Sequence, residues 1–587
     1  MSLNEIIISE VKRVAKDLFG YEADIQLQPI GVGFEGTHTV VCFPISKAAK
    51  KSPEQTATLI GESLDKRIIS KFNVVKGFLN LSIADSLWIS SFSDIYQNES
   101  FGILPFNGKE IMVEYSSPNT NKPLHLGHLR NNFLGWSVSE IYKANGYKVH
   151  KVQIINDRGI HICKSMAAWK LYGNGETPQS SGLKGDKLVG KYYVLFDKNY
   201  KSQMAEMPAE ADPEKNAPIM RLAVQMLQLW EAKDPETIEL WKTMNGWVYE
   251  GFAKTYQRMG VDFDKLYYES ETYLLGKEEV LKGLESGVFF RKDDGSVWVD
   301  LTNDGLDQKV LLRSDGTSVY MTQDIGTAML RFRDFPRITR QVYTVGNEQE
   351  YHFKVLFLIL AKLGYSWAKE CYHLSYGMVD LPTGKMKSRE GTVVDADDLM
   401  EEIVNDFAAV AKDLGKLEEL SESEQKDLFE MGGLGALKYF LLKVDPKKRM
   451  MFNPEESVEL HGNTAPFIQY THARTHKLGR TAAERGLTFS EKDITSVASL
   501  EDAEREVLSM INLYPQKVAE AARDYAPSVI ANYSYDLAKA YNQFYQLHKI
   551  FEGDPSKVKF RLAFSKVVAD VLKKSMWLLG IRVPDKM

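Results

Sequence analysis

The chain has 587 residues, of which 44% are apolar and 26% are charged, as in an ordinary globular protein. Its net charge of −6 excludes a basic protein that coats nucleic acid. Its three cysteines, Cys42, Cys163 and Cys371, are too far apart for a disulfide framework or a CxxC metal site. No stretch approaches the roughly 20 apolar residues of a membrane helix, and the N-terminus lacks the apolar core of a signal peptide. We therefore expect a cytoplasmic protein of about three or four domains with no membrane partner.

The first region, residues 1–107, is predicted to be a small α/β module. It opens with an amphipathic helix in MSLNEIIISEVKRVAKDLFG, and the later segments THTVVCFP and FLNLSI have the pattern of strands. A stretch rich in Lys, Ser and Pro, KAAKKSPEQT, lies between those two segments. No catalytic group of residues stands out in this region.

The second region, residues 108–453, alternates strand-like runs with amphipathic helices. The strands are EIMVEY, KVHKVQII and RQVYTV, and a helix, FKVLFLILAKLG, follows the last of them. This alternation predicts an α/β fold with a doubly wound, Rossmann-like parallel sheet that binds ligands at the carboxyl ends of its strands. Between residues 170 and 254 the pattern becomes turn-rich and then helical and polar, which predicts an insertion into the sheet domain.

The third region, residues 454–587, has almost no strand signal and is predicted to be an all-α helical bundle. Residues 471–587 carry 18 Lys and Arg against 14 Asp and Glu, whereas the rest of the chain is acidic. This mildly basic part could face a phosphate backbone. A scattered, solvated surface explains the same charges equally well.

The segment VEYSSPNTNKPLHLGHLRNNFLGW carries the clearest chemical signal. A strand ends in a Ser-Ser-Pro-Asn loop, and HLGH then opens a helix. Because helix N-termini favour anions, His125 and His128 could place imidazoles beside a phosphate. Gly127 between them has no side chain and lets a nucleotide approach closely. An isolated HxGH would be a chance match, but the strand–loop–helix context favours a nucleotide site.

A second signal is YGMVDLPTGKMKSREGTVVDADDLM. After turns formed by Gly and Pro residues, Lys385, Lys387 and Arg389 crowd into a short loop beside Ser388. A cationic loop of this kind can neutralise the charge of a departing pyrophosphate. A lone KMKSR would be interpreted as a solvated basic turn.

Taken together, HLGH and a KMKSR loop about 260 residues later resemble the HIGH and KMSKS signatures of class I aminoacyl-tRNA synthetases. Further tracts are similar to one family within that class, the arginyl-tRNA synthetases. These tracts are VEYSSPN, SVYMTQDIGTA, GNEQEYHF, GKMKSREGT, NTAPFIQYTHAR, YSYDLAKAYNQFYQLHKI and the terminal VPDKM. The resemblance covers nearly the whole chain, including the first module.

The resemblance implies that L-arginine is activated with ATP and transferred to the 3′-terminal adenosine of tRNA(Arg), with tRNA required for the first step. It implies Mg²⁺ held mainly by the ATP phosphates, and a monomer. It also implies an N-terminal module that contacts the tRNA and a helical domain that reads the anticodon. The tRNA-binding residues would be Tyr541, Asn542 and Tyr545. Per residue, core packing is the better explanation of these aromatic side chains.

A guanidinium substrate needs planar acceptors. Glu114 ends a strand, and Tyr320 and Asp324, four residues apart, would share one face of a helix. By resemblance, the arginine pocket is lined by Glu114, Asn119, Tyr320, Asp324 and Gln349. Glu114 or Asp324 would pair with the charge of the substrate, while Asn119 and Gln349 would contact its amine or carboxylate. A surface carboxylate is the structural alternative for both acids.

The resemblance also assigns the residues that act on ATP. The catalytic residues would be Lys122, His125, His128 and Lys385. The ATP-binding residues would be His125, Gly127, His128, Met378, Lys385, Met386, Ser388 and Arg389. Ser388 stands where KMSKS has its second lysine, and Lys122 in NKPLHLGH is expected to compensate. Arg158 stands where many relatives have tryptophan, which leaves the role of residues 156–161 open.

Three alternative functions fit the sequence less well. A small-molecule adenylyltransferase with HxGH would be much shorter and would lack the helical third region. Other class I synthetases fit poorly, because the cysteinyl enzyme needs clustered cysteines and an aliphatic pocket would not contain Glu114 and Asp324. A catalytically inactive tRNA-binding paralogue is disfavoured by the intact HLGH and KMKSR, and pyrophosphate exchange distinguishes it.

Overall fold

The computed structural model describes residues 3–30, 34–208, 212–382, 394–413, 417 and 420–587. Four residues of the predicted phosphate loop, Lys385, Met386, Ser388 and Arg389, lie outside the described residues. The roles assigned to these four stay predictions.

An α/β module forms the N-terminal region, as the sequence predicts. Its four strands make an antiparallel sheet in the order β1-β2-β4-β3, on which α3 packs. The buried apolar faces of α1 and α3, which include Ile7, Val11 and Ile60, supply its core. The elements are α1 (Leu3–Phe19), β1 (Leu27–Pro29), β2 (His38–Val41), α2 (Phe43–Ala49), α3 (Pro53–Ser63), β3 (Ile69–Val75), β4 (Phe78–Ile83) and α4 (Asp85–Gln97).

Composition alone does not predict a helix in KAAKKSPEQT, yet this stretch spans the end of α2 and the start of α3. Ser52 caps α3, because its hydroxyl accepts the N–H of Gln55 at 3.1 Å and the Gln55 side chain accepts the N–H of Ser52 at 3.4 Å. Pro53 occupies the first turn, where a missing N–H costs nothing. Local capping chemistry therefore starts this helix.

A five-stranded parallel sheet forms the centre of the second region. Its strands are β5 (Glu110–Glu114), β6 (Lys148–Ile155), β7 (Lys265–Tyr268), β11 (Ile338–Gly346) and β12 (Cys371–Tyr376), and their spatial order is β12-β11-β5-β6-β7. From β5 the chain adds two strands on one side and then two on the other. The strand order therefore reverses between β5 and β11. The doubly wound parallel sheet predicted from the sequence is confirmed.

Shorter strands lie outside this sheet. β8 (Phe290–Arg291), β9 (Val297–Val299) and β10 (Lys309–Leu312) make an antiparallel sheet, and β13 (Val379–Asp380) pairs in parallel with β14 (Met450–Met451). Strands of two to four residues are too short to show an alternating pattern. Sequence periodicity therefore did not predict them.

Helices surround the parallel sheet, and α6 to α11 all lie between β6 and β7; α7 to α10 fall within residues 170–254, where a helical insertion was predicted. The helices are α5 (Leu126–Ala144), α6 (Ile160–Tyr172), α7 (Pro178–Ser181), α8 (Gly185–Glu206), α9 (Pro213–Asn216), α10 (Pro218–Glu231), α11 (Pro235–Met259), α12 (Glu269–Thr272), α13 (Leu275–Glu285), α14 (Tyr320–Asp334), α15 (Glu350–Lys362), α16 (Ala396–Asp413) and α17 (Glu422–Leu442). The 3₁₀ turns are Thr302–Asp304, Asn347–Gln349 and Ser366–Glu370.

Residues 454–587, all of which the structure describes, contain helices and no strand. The helices are α18 (Pro454–Ser457), α19 (Ala465–Glu484), α20 (Glu491–Thr495), α21 (Asp502–Asp524), α22 (Pro527–Leu547) and α23 (Pro555–Trp577). This confirms the predicted bundle. No helix in the described part of the chain is long and apolar enough to cross a bilayer.

The segment that follows α23, residues 578–587, fastens the bundle to the second region. The carbonyl of Leu578 accepts the Ser137 hydroxyl at 2.7 Å, and the carbonyl of Gly580 accepts the Lys438 ammonium at 2.6 Å. On the other side, the Gln469 amide donates to the carbonyl of Arg582 at 2.8 Å. Burial lowers the pKa of Lys438 to about 7. We call residues 578–587 the C-terminal tail.

Candidate active site

The carboxyl ends of β5 and β11 meet where the strand order reverses. Glu114 is the last residue of β5 and lies opposite Tyr343 of β11. The loop after β5 leads into α5, and the 3₁₀ turn Asn347–Gln349 leads from β11 into α15. Ligands of doubly wound sheets bind in the crevice between such loops. The fold therefore brings HLGH and most of the predicted arginine pocket to one crevice.

The two histidines of HLGH cap the N-terminus of α5. The Nδ1 of His125 accepts the N–H of Gly127 at 3.2 Å, and the Nδ1 of His128 accepts the N–H of His125 at 3.1 Å. A ring nitrogen that accepts a hydrogen bond carries no proton, so each neutral ring has its proton on Nε2. The ring centroids lie 3.9 Å apart. The start of α5 therefore presents two adjacent Nε2–H donors where an anion is favoured.

Burial keeps both imidazoles neutral. It lowers the pKa of His125 to about 3, helped by the nearby charge of Lys122, and it lowers the pKa of His128 well below its usual range. Burial also lowers the pKa of Lys122. The histidines therefore offer hydrogen bonds, and Lys122 is the cationic group beside them.

A cavity of about 270 Å³ lies between HLGH and α8. Three lysines line it, but Lys187 pairs with Asp398 at 2.6 Å and Lys191 pairs with Glu176 at 2.8 Å. Lys122 has no hydrogen-bond or ion-pair partner among the described residues. Its charge is therefore available to an anionic ligand.

Glu114 forms an ion pair with Arg331 of α14, and Arg331 is only 2% exposed. The guanidinium carbon of Arg331 lies 5.3 Å from the ring centre of Tyr267 and 5.6 Å from that of Tyr343. Burial raises the pKa of Glu114, and the charge of Arg331 opposes this shift. Glu114, predicted as one of two acids that could bind the substrate, thus already has an internal guanidinium partner. That partner was not predicted from the sequence.

Asp324 is half-buried on α14, and its Oδ2 lies 2.6 Å from Nε2 of His352. It is close enough to the Glu114–Arg331 ion pair for its charge to raise the pKa of Glu114. Among the described residues it has no lysine or arginine partner. Of the two predicted acids, Asp324 is therefore the one whose ion-pair partner is a histidine rather than an arginine.

The other three residues predicted for the arginine pocket are exposed. Tyr320, the first residue of α14, is 76% exposed, and Gln349 ends the 3₁₀ turn after β11. Asn119 forms an isolated parallel bridge with Asn156 in the loop after β5. Asn119 and Gln349 lie on the segments that follow β5 and β11, and Tyr320 lies one turn before Asp324 on α14.

Glu269 is an acidic residue near the crevice that was not predicted as a site residue. It follows β7, and burial raises its pKa to about 7. The charge of Asp324 adds to this rise, while Arg158 opposes it. Glu269 and Asp324 therefore lie within electrostatic reach of each other. Nothing in the local sequence YESETY distinguishes this glutamate from a surface residue.

Arg158, whose role the sequence left open, lies among aromatic side chains. Its guanidinium carbon lies 3.9 Å from the ring centre of Tyr273 and 5.2 Å from that of Trp230. It also donates to Glu231 at 3.2 Å. The planar guanidinium therefore stacks among the rings, as an indole would.

Arg130, directly after HLGHL, links α5 to the strand that precedes the predicted phosphate loop. It is 1% exposed, and its guanidinium donates to the carbonyls of Gly377 at 2.7 Å, Pro446 at 3.2 Å and Lys448 at 3.0 Å. Burial lowers the pKa of Arg130 to about 10. Met378, a predicted ATP-binding residue, is 47% exposed in this segment. Arg130 therefore holds α5, which begins with HLGH, against the backbone that precedes the KMKSR segment in sequence.

The three predicted tRNA-binding residues have different environments. Tyr541 is fully buried, and its hydroxyl donates to Ser565 at 2.8 Å. No part of the ring can stack on a base, so the prediction for Tyr541 is wrong and its role is packing. Asn542 and Tyr545 are half-buried around Arg474, which bonds to the Asn542 amide and lies 4.9 Å from the Tyr545 ring centre.

Two family models match the chain. The model of the catalytic domain of class I tRNA synthetases (R) matches residues 93–453, and the DALR anticodon-binding domain matches residues 468–587. The chain belongs to the arginyl-tRNA synthetases. The parallel-sheet region with HLGH corresponds to the first model, and the helical bundle corresponds to the second.

Relatives match over the full length. The arginine–tRNA ligase of Bacteroides thetaiotaomicron is 54% identical and that of Flavobacterium psychrophilum is 55% identical, each with 100% of both chains covered. The solved structure of Thermus thermophilus arginyl-tRNA synthetase has a TM-score of 0.80 at 22% identity and covers 99% of this chain and 100% of that chain. At this identity the structural match shows the fold alone. Family membership confirms the resemblance found in the sequence.

Proposed function

We propose that this arginyl-tRNA synthetase activates L-arginine with ATP through the crevice between β5 and β11 and transfers it to the 3′-terminal adenosine of tRNA(Arg). One observation carries this assignment of the site. The crevice has two Nε2–H donors at the N-terminus of α5, and a carboxylate without a lysine or arginine ion pair among the described residues, Asp324 of α14, near Glu114 at the end of β5. The two Nε2–H donors suit phosphates, and the Asp324 carboxylate suits a guanidinium.

In the activation step, an oxygen of the arginine carboxylate attacks the α-phosphorus of ATP. The bond from that phosphorus to the bridging oxygen breaks, and pyrophosphate leaves with the electron pair. The Nε2–H groups of His125 and His128 donate hydrogen bonds to phosphate oxygens as negative charge builds up on them. Their rings are held by backbone N–H groups, so little reorganisation is needed in the transition state.

The cationic groups in our proposal are Lys122 and Lys385, with Mg²⁺ held mainly by the ATP phosphates. The carboxylate beside the lysine-lined cavity, Asp395, already accepts the N–H of Asp397 at 2.8 Å and lies 3.6 Å from Lys187. Binding of the ion through phosphates fits these surroundings, because it requires no free protein carboxylate. The ion would neutralise phosphate charge.

For arginine, we propose that Asp324 binds the guanidinium. The neighbouring Glu114–Arg331 ion pair would hold the end of β5 and α14 together beside the substrate. Tyr320 borders the guanidinium, and Asn119 and Gln349 bind the amine and carboxylate end. Asp324 is supported by its charge and by its hydrogen bond to His352, which orients it. Glu269 is half-buried, and because burial raises its pKa to about 7 it adds negative potential only in its ionised form.

In the transfer step, the 2′-hydroxyl of the terminal adenosine attacks the carbonyl carbon of the adenylate, and AMP leaves. We propose that the bundle binds the anticodon with Asn542 and Tyr545, and that the N-terminal module, residues 1–107, contacts the outer corner of the tRNA. Residues 108–453 would be the catalytic domain and residues 454–587 the anticodon-binding domain. We further propose a monomer that works in the cytoplasm.

Arginine-dependent ATP–pyrophosphate exchange, measured with and without tRNA(Arg), tests this function. We expect exchange with arginine only when tRNA is present, and none with lysine or glutamine. Exchange with another amino acid would overturn the assignment of the arginine pocket. No exchange by a folded chain that still binds tRNA would identify an inactive paralogue.

Lys122→Ala is expected to lower the rate of arginine activation by about tenfold to a hundredfold, because a positive charge beside the phosphates is lost. Lys122→Arg keeps the charge and should retain more activity. Burial lowers the pKa of Lys122, and only its protonated form binds phosphate strongly. ATP affinity of the wild type should therefore fall as the pH rises through this lowered pKa, and the arginine variant should lack that fall.

Exchange rates and ATP affinities measured across an alkaline pH series check this prediction. Lys198→Ala provides a control for loss of one lysine, since Lys198 is exposed on α8 outside the lysine-lined cavity. If Lys122→Ala activates arginine as fast as the wild type does, Lys122 has no role in compensating for Ser388.

A further inference from the structure

A second cluster of potential ligands lies far from HLGH in sequence, where the C-terminal tail crosses α19. His472 and His476 are one turn apart on α19, and Asp585 belongs to the tail. One potential ligand atom from each of the three side chains lies within 4.8 Å of the others. Neither the proposed reaction nor the proposed tRNA contacts use these residues.

His472 has a buried lone pair without a partner. The ring is fully buried, and its Nδ1 lies 2.9 Å from the carbonyl oxygen of Pro584, to which only an N–H can donate. The proton is therefore on Nδ1, and Nε2 carries a bare lone pair. This Nε2 is buried and has no hydrogen-bond partner among the described residues. An acceptor buried in this way costs free energy unless something binds it.

The state of His472 is typical of a histidine that binds a metal ion. Such histidines usually donate their second ring N–H to a backbone carbonyl or a carboxylate, which fixes the ring orientation and leaves the other nitrogen for the ion. Pro584 supplies this carbonyl. Because the carbonyl comes from the residue next to Asp585, one short piece of the tail both orients one ligand and contributes another.

The other two side chains have compatible geometry. Nδ1 of His476 lies 3.4 Å from Oδ1 of Asp585, and the two imidazole centroids lie 4.5 Å apart. Ligands at roughly 2.0–2.2 Å from a tetrahedral zinc ion are about 3.4 Å from one another. His476 is half-buried and Asp585 is exposed, so an ion can reach the cluster from solvent. Two histidines at i and i+4 on a helix present their rings on one face.

We propose that His472, His476 and Asp585 bind one divalent transition-metal ion, for which Zn²⁺ is the best match. Two imidazoles and one carboxylate suit Zn²⁺ better than the hard ions Mg²⁺ and Ca²⁺, which prefer oxygen ligands alone. A water molecule would complete the coordination of the ion at its fourth position. It would fasten the C-terminal tail to α19, and so strengthen the junction between the bundle and the catalytic domain.

The surrounding charges do not prevent binding. Burial lowers the pKa of His472 to about 4, and the charges of His476 and Lys573 act in the same direction. The hydrogen bond to Pro584 and the charge of Asp585 oppose this shift. Arg480 donates to the backbone carbonyl of Asp585 at 2.8 Å, which leaves the Asp585 carboxylate free of that guanidinium. Without a metal ion, His476 and Asp585 can still form a weak surface ion pair.

The test uses the full chain without an affinity tag, stripped with a chelator and then titrated with Zn²⁺ alone. We expect one equivalent of tightly bound Zn²⁺ by equilibrium dialysis and elemental analysis, and a Tm that rises when Zn²⁺ is added. His476→Ala and Asp585→Asn change side chains that reach the surface, so both variants should fold. Each should bind Zn²⁺ at least tenfold more weakly and lose the rise in Tm.

His461→Ala is the matched control, because His461 is an exposed histidine outside the cluster. This variant should bind Zn²⁺ as the wild type does. Absence of a stoichiometric site in the wild type would overturn the proposal. Equal binding by the wild type, His476→Ala and Asp585→Asn would overturn it as well, since the ion would then be held elsewhere. Neither result bears on arginine activation.

Discussion

His128→Asn is expected to lower the kcat of arginine activation by about a hundredfold to a thousandfold while the fold stays intact. The side-chain oxygen of asparagine can occupy the position of Nδ1 and keep accepting the N–H of His125, so the cap of α5 is retained. The Nε2–H donor is lost. Removal of one preorganised donor to a transition-state oxyanion has about this effect in other enzymes.

His128→Gln makes the comparison sharper. Glutamine can place an amide N–H near the position of Nε2, so this variant should recover part of the activity that asparagine loses. ATP–pyrophosphate exchange in the presence of tRNA gives the rates, and Tm values verify that both variants fold. A wild-type rate in His128→Asn would show that His128 acts only as a helix cap.

Asp324→Asn is expected to reduce kcat/KM for arginine by about a hundredfold to a thousandfold, with little change in KM for ATP. Loss of one partner from a partly buried charge pair costs about 3–4 kcal/mol, and each 1.4 kcal/mol corresponds to a factor of ten. Asparagine has nearly the same size and can still accept a hydrogen bond from His352. The change therefore removes mainly the charge.

Exchange kinetics over a range of arginine and ATP concentrations separate the two effects. Asp293→Asn is the control, because Asp293 is an exposed carboxylate in the turn between β8 and β9, remote in sequence from the crevice. If Asp324→Asn left kcat/KM for arginine unchanged, the guanidinium would have to bind elsewhere, with Glu114 as the next acid to test. An equal loss for both variants would point to a nonspecific effect.

The sequence was sufficient to predict the main architecture because the relevant signals are local. One continuous segment contains the apolar run of β5, the turn residues that follow it and HLGH at the start of α5. The class of fold, its parallel sheet and its helical third region follow from such periodic signals. Family motifs then identified the chemistry of HLGH, which periodicity could not.

Partners from distant segments were not predictable in this way. Glu114 and Arg331 are more than two hundred residues apart, and no pattern in either segment reveals that they form an ion pair. The acceptors of Arg130 are backbone carbonyls, which every residue has. Tyr541 belongs to an aromatic stripe whose direction, inward or outward, depends on how α23 packs against α22. These features follow from tertiary packing.

Burial lowers the pKa of both HLGH imidazoles so far that mild acidification does not change their charge. A fall of one pH unit from neutrality leaves His125 neutral, because its pKa is about 3. His128 also stays neutral, because its pKa is well below its usual range. Most histidines would become cations over such a change and would alter how strongly they hold phosphates. The two Nε2–H donors at the start of α5 therefore persist through pH changes that switch other histidine-dependent sites.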